Sequence, residues 1–168
     1  MDIKKGKPIR IEPPWHLSNV PKELAVRFLA VFARFEYALK VSGFATGSGS
    51  KAEADWDNYA RQIAGTLDLN YSAVSQAAEY ILANPPKKQV LEHGSVVFRV
   101  RPCGSAGATD AERLLCYVRR VRNNLFHGGK FGPAGEVPDR DRRLVEHALV
   151  VLAMCLPLVN EVELAFYN

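Results

Sequence analysis

Apolar residues recur along this chain at two different periods, and the change between them marks its elements. From Pro21 onward, Leu24, Phe28, Val31, Phe32, Phe35 and Leu39 fall on one stripe of a 3.6-residue helix, which predicts a helix to about Val41. Pro21 suits its first turn, and Glu23 lies near the positive end of its dipole. The segment SGFATGSGSKA that follows reads as a flexible loop. A second helix is expected over about 52–66 and a third over about 72–83. The third stops at Asn84-Pro85-Pro86, because proline disfavours helical backbone in the residue before it.

The pattern then changes. Val90–Leu91 and Val96–Val100 flank His93-Gly94, which predicts a hairpin turn, and Ile9 and Ile11 of PIRIE could extend it as a short edge strand. After the loop CGSAGA, Thr109 and Glu112 form a capping-box pattern that opens a fourth helix. Gly128-Gly129 stops that helix, and KFGPAGEVP forms a loop. A last helix is expected from about Asp139 to Phe166, apolar nearly all round from Leu149 to Val159 and kinked at Pro157. The expected fold is therefore an all-α bundle of about five helices with a small β-hairpin insertion at about 88–102. It forms one domain over residues 1–168, with an irregular arm at 1–20.

Composition narrows the class. The 168 residues are 48% hydrophobic and 24% charged, the balance of a globular domain with a real core. A net charge of +4 is compatible with a polyanionic partner without requiring one. Cys103, Cys116 and Cys155 are an odd, scattered set without a CxxC pair, so no disulfide framework is expected and the compartment reads as reducing and cytoplasmic. Cys116 and Cys155 sit among apolar neighbours and read as buried, inert thiols. The histidines, at 16, 93, 127 and 147, have no metal-ligand spacing, and neither metal nor cofactor is expected. The start MDIKKGKPIR lacks the apolar region of a secretory signal. The longest apolar run, Ala148 to Val159, is shorter than the ~20 residues that span a bilayer, so no membrane partner is expected.

Candidate chemistry concentrates in RRVRNNLFHGGK, Arg119 to Lys130. At about 100° per residue, Leu114, Val118, Val121 and Leu125 form the core face of this helix and His127 lies opposite them. Arg120 and Asn123 fall near His127, Asn123 one turn before it, and Arg122 sits on the shoulder with Phe126 close by. Two readings stand side by side. In one, cations near a helix C-terminus interact well with its dipole and His127 is merely solvated. In the other, the guanidinium groups hold phosphate oxygens in a forked geometry and His127 moves a proton near neutral pH.

Arg122-Asn123-Asn124-Leu125-Phe126-His127 resembles the arginine–polar–histidine motif of the HEPN superfamily, a group of helical bundles with the motif late in one helix and a long helix after it. The first helix, with ARFEYALKVSGF, is also similar to those of bacterial members, and Glu36 falls where many carry a supporting polar group. The resemblance covers about Pro21 to Phe166 and leaves the β insertion outside.

The resemblance implies a metal-independent endoribonuclease acting as a homodimer, with two motifs facing across a two-fold axis. A ribose 2′-OH would attack phosphorus, with His127 as general acid or base, Arg122 on the phosphate and Asn123 orienting His127 or the phosphate. The ends would be a 2′,3′-cyclic phosphate and a 5′-OH. Arg119, Arg120 and Lys130 would hold the RNA backbone. The setting implied is a toxin with an antitoxin protein partner, or an anti-phage effector. Gly129 stands where one branch carries a tyrosine that its partner modifies, so that form of neutralisation is not expected. The alternative is a non-catalytic module that binds RNA or protein or dimerises. Other candidates read as structural: His16, His93 and His147 as boundary or surface histidines, and Arg140 to Arg143 as a solvated helix start.

Overall fold

Aromatic stacking between the first two helices organises the core. The computed structural model describes residues 11–70, 72–127 and 139–168. Helix α1, Lys22–Val41, buries Phe28, Phe32, Phe35 and Leu39 as its stripe requires. Helix α2, Trp56–Ile63, lays Trp56 on Phe32 and Phe35 with ring centroids 5.1 and 5.3 Å apart. Tyr59 meets Phe35 and Phe44 edge-on and donates its hydroxyl to the carbonyl of Cys155 at 2.5 Å. Burial raises the pKa of that hydroxyl well above its usual value and keeps it a donor.

Helix α3 spans Ser72–Ala83, α4 Asp110–Phe126, α5 Arg140–Cys155 and α6 Asn160–Tyr167. α5 packs against α1, α3 and α4, α6 closes on α1, and α2 lies on α4. α4 opens on the full capping box: the Thr109 side chain accepts from the Glu112 N–H and the Glu112 carboxylate accepts from the Thr109 N–H.

The expected all-α, five-helix bundle with one hairpin is corrected. Six α-helices and two separate antiparallel hairpins occur among the described residues, a mixed, mainly helical fold. One hairpin pairs β3, Lys88–Glu92, with β4, Ser95–Arg99, and turns through His93 and Gly94, both at positive φ. The other pairs β1, Ala45–Ser48, with β2, Lys51–Ala54, where a flexible loop was expected. Its strands are almost wholly exposed, and no large apolar side chain marks them. Only a residue without a side chain fits at Gly47, because a Cβ there would collide with the Lys51 carbonyl. These strands also shorten α2, whose N-terminus is set by Asp55 accepting from the Asn58 N–H at 3.0 Å.

The single last helix is corrected too. The helix tightens to a 3-10 turn over Leu156–Leu158 at Pro157 and then breaks at Val159, whose backbone is extended, so that Arg140–Leu158 and α6 meet at 115°. No single helix among the described residues is long and apolar enough to cross a membrane. Ile11 lies outside any strand, and Ile9 is outside the described residues.

The cysteine reading needs a further correction. Cys103 and Cys116 form a disulfide, and Cys116 is half-buried. Their Cα atoms lie 5.9 Å apart because the segment after β4 folds back over α4, a proximity invisible in linear spacing. Cys155 is a buried free thiol whose pKa burial pushes up to about 12.

Candidate functional site

Leu114, Val118, Val121 and Leu125 are all buried, so α4 is anchored along one face and presents the other to solvent. The helix ends at His127, whose N–H returns to the Asn123 carbonyl. Around this end the candidate side chains separate into three groups.

The first group surrounds Arg122. Its guanidinium lies 5.5 Å from the Phe32 ring and 4.9 Å from the Phe126 ring. It donates to Asn123 Oδ1 at 3.1 Å and stands 4.0 Å from Glu36 Oε2. Glu36 is itself held by Trp56, whose Nε1–H donates to Oε1 at 3.3 Å. The guanidinium thus keeps part of its surface in solvent while rings and a carboxylate limit its movement. The aromatic contacts favour the cation by about 0.5–1 kcal/mol at an exposed site.

The second group is His127 and Phe126. Both are exposed, Phe126 by 62%. The two rings meet edge to face with centroids 5.3 Å apart. Phe126 is therefore in contact with both Arg122 and His127. Asn123 gives its carbonyl oxygen to Arg122, and no side-chain hydrogen bond joins it to His127 among the described residues.

The third group leaves the site. Arg119 pairs with Asp57 at 3.0 Å. Arg120, expected beside His127, reaches instead to the carbonyls of Pro86 and Arg101 and to Cys103 Sγ. Its guanidinium is partly buried, and desolvation draws its pKa down. It clamps the segment after β4 to α4. Lys130 and the stop at Gly128-Gly129 lie outside the described residues.

Several contributors escaped the sequence reading. Trp56 holds Glu36, a contact joining residues twenty positions apart. Asn124, 4% exposed, donates to the Lys87 carbonyl at 2.8 Å and ties the end of α4 to the start of β3. Its only signal is an amide about a quarter turn from the core face. The β1–β2 hairpin, α1, α2 and α4 also enclose a cleft of about 430 Å³ that Glu36, Trp56, Arg122 and Asn123 help to line.

No group of His, Cys, Asp or Glu among the described residues is placed to hold a metal ion. His147 packs on Tyr80 at 4.6 Å, and Arg140 donates to the carbonyls of Asn84 and Pro85, so both serve packing. Comparison with family models, curated proteins and solved structures finds no match.

Proposed function

We propose that this chain is a metal-independent endoribonuclease of the HEPN kind, with Arg122 and His127 as its reacting groups. The observation that carries the proposal is their placement: the half-buried Arg122 and the exposed His127 both contact the exposed Phe126 ring at the end of α4. Arg122 holds the scissile phosphate through its forked N–H groups and offsets the charge that builds on its oxygens. His127 takes the proton from the ribose 2′-OH or returns one to the departing 5′ oxygen. The new 2′-O–P bond displaces the 5′ oxygen, leaving a 2′,3′-cyclic phosphate and a 5′-OH. Dependence on the 2′-OH restricts the reaction to RNA.

The outward face of the site suits a second copy, so the working unit is a homodimer with the two motifs in one cleft. The role is that of a toxin or anti-phage effector, with an antitoxin protein as a further partner. Wild-type protein incubated with RNA in EDTA is expected to yield cyclic-phosphate ends, and Arg122→Ala and His127→Ala are expected to abolish them. Equal cleavage by a folded His127→Ala variant overturns the assignment.

A second reading, a non-catalytic binding module, is favoured by one observation: Arg122 and Arg119 already have carboxylate partners within the chain. It predicts RNA or protein binding with no cleavage by any variant.

A further inference from the structure

The cleft beside Arg122 carries chemistry that phosphate binding leaves unused. Its volume, about 430 Å³, falls in the range of small-ligand pockets. Its lining is mixed in sign, with Glu36, Glu53, Asp55 and Asp57 facing Lys40, Arg119 and Arg122. Much of that charge is occupied: Asp57 by Arg119, Glu53 by Lys51 at 2.6 Å, and Asp55 by the Asn58 N–H. Glu36 is different. The Trp56 indole fixes one oxygen, while the other stands 4.0 Å from Arg122, too far for a hydrogen bond. The carboxylate is thus oriented and keeps acceptor capacity on the cleft. Beside it, Asn123 gives its carbonyl oxygen to Arg122, which leaves its amide N–H groups as donors.

We infer that this cleft takes the base of a nucleotide flanking the scissile phosphate, and that Glu36 and Asn123 read the amine edge of guanine, adenine or cytosine in preference to uracil. The inference rests on the ribonuclease proposal. Electrostatics set the direction of entry: Glu36, a lining carboxylate with no close ion pair, disfavours phosphate beside it, so phosphate stays at Arg122 and His127 while the neutral base goes inward. An exocyclic amine donates to the Glu36 carboxylate, and the neighbouring ring nitrogen or carbonyl accepts from Asn123. Uracil offers one N–H flanked by two carbonyl oxygens, so a carboxylate brought onto it meets lone pairs on both sides.

The test maps cut positions in an RNA library randomised around the cleavage point, with cleavage run in EDTA. Uridine is expected to be depleted about tenfold at one of the two flanking positions. Glu36→Gln, which replaces an acceptor oxygen with a donor group, is expected to flatten that preference in whatever cleavage remains. Unchanged uridine frequency at both positions, or an unchanged preference in Glu36→Gln, overturns the inference.

Absence of any cleavage by the wild type would instead remove the ribonuclease proposal, and the cleft is then judged by binding alone. The indole N–H resonance of Trp56, assigned with Trp56→Phe, is followed on titration with cytidine and with uridine. Movement with cytidine well beyond that with uridine, lost in Glu36→Gln, supports the cleft as a base site. No movement, or equal movement with both, overturns it.

Discussion

Two side chains show how far a role read from position departs from one read from contacts. Arg120 belongs to the basic run that suggests RNA, yet two of its hydrogen bonds hold the segment after β4 and a third the Pro86 carbonyl ahead of β3. Arg120→Ala is expected to lower unfolding free energy by about 2 kcal/mol in urea titration, the usual cost of losing charged hydrogen bonds. Arg119→Ala, which breaks only an exposed ion pair, should change it by less than about 1 kcal/mol. His147 is the second case. Desolvation, and then the nearby Arg143 charge, lowers its pKa below 6.5, against a smaller opposing effect of Glu146. The unfolded chain therefore takes up the proton first as pH falls. The neutral ring's contribution is complete above about pH 6.5 and declines below it. Melting temperatures from pH 8 to 5 should show this loss, and His147→Phe should reduce it while keeping the contact with Tyr80.

Among the elements, α4 carries the candidate site and is tied at several points. Its hydrophobic face and capping box are legible in the sequence because they depend on spacings of three and four residues. Its ties to Lys87 and Cys103 are not, since they link segments that meet only after folding. The disulfide closes a loop of sequence separation 13, and cross-links of that span stabilise by about 3 kcal/mol through the unfolded chain. Reduction, or the paired change Cys103→Ser with Cys116→Ser, should therefore lower the melting temperature by several degrees. Equal melting with and without reductant would show that the cross-link contributes nothing. The β1–β2 hairpin gives the opposite lesson. β1, ATGS, has no apolar alternation and β2, KAEA, alternates its charges only with small alanines, yet the backbone pairs, and Asp55 N–H bonds back to the Phe44 carbonyl.

The assembly is where the ribonuclease proposal is most exposed. A site shared between two copies makes activity depend on association. The cleavage rate per chain should fall on dilution below the dimer dissociation constant, in step with the dimer fraction measured by sedimentation or light scattering. A rate per chain that stays constant while the protein becomes monomeric would place the whole site within one copy. Within a single chain, Arg122 and His127 both touch the Phe126 ring, with His127 exposed and Arg122 half-buried.

Local patterns were enough to predict α1, the α3 stop at Asn84, the α4 cap, the end of regular α-helix near Pro157 and the turn at His93-Gly94, because each rests on backbone geometry and short-range periodicity. They also placed Asn123 and His127 on the exposed side of one helix end and Arg122 on its shoulder. Folding alone decided that Glu36 stands behind Arg122, that Trp56 holds Glu36, that Arg120 turns inward and that Cys103 meets Cys116. The last helix also turns by 115° to close on α1, an angle that packing sets and no local pattern encodes. The physical reason is common to these cases. Periodicity encodes which face of an element is apolar, whereas the partner of a polar side chain depends on how the elements pack.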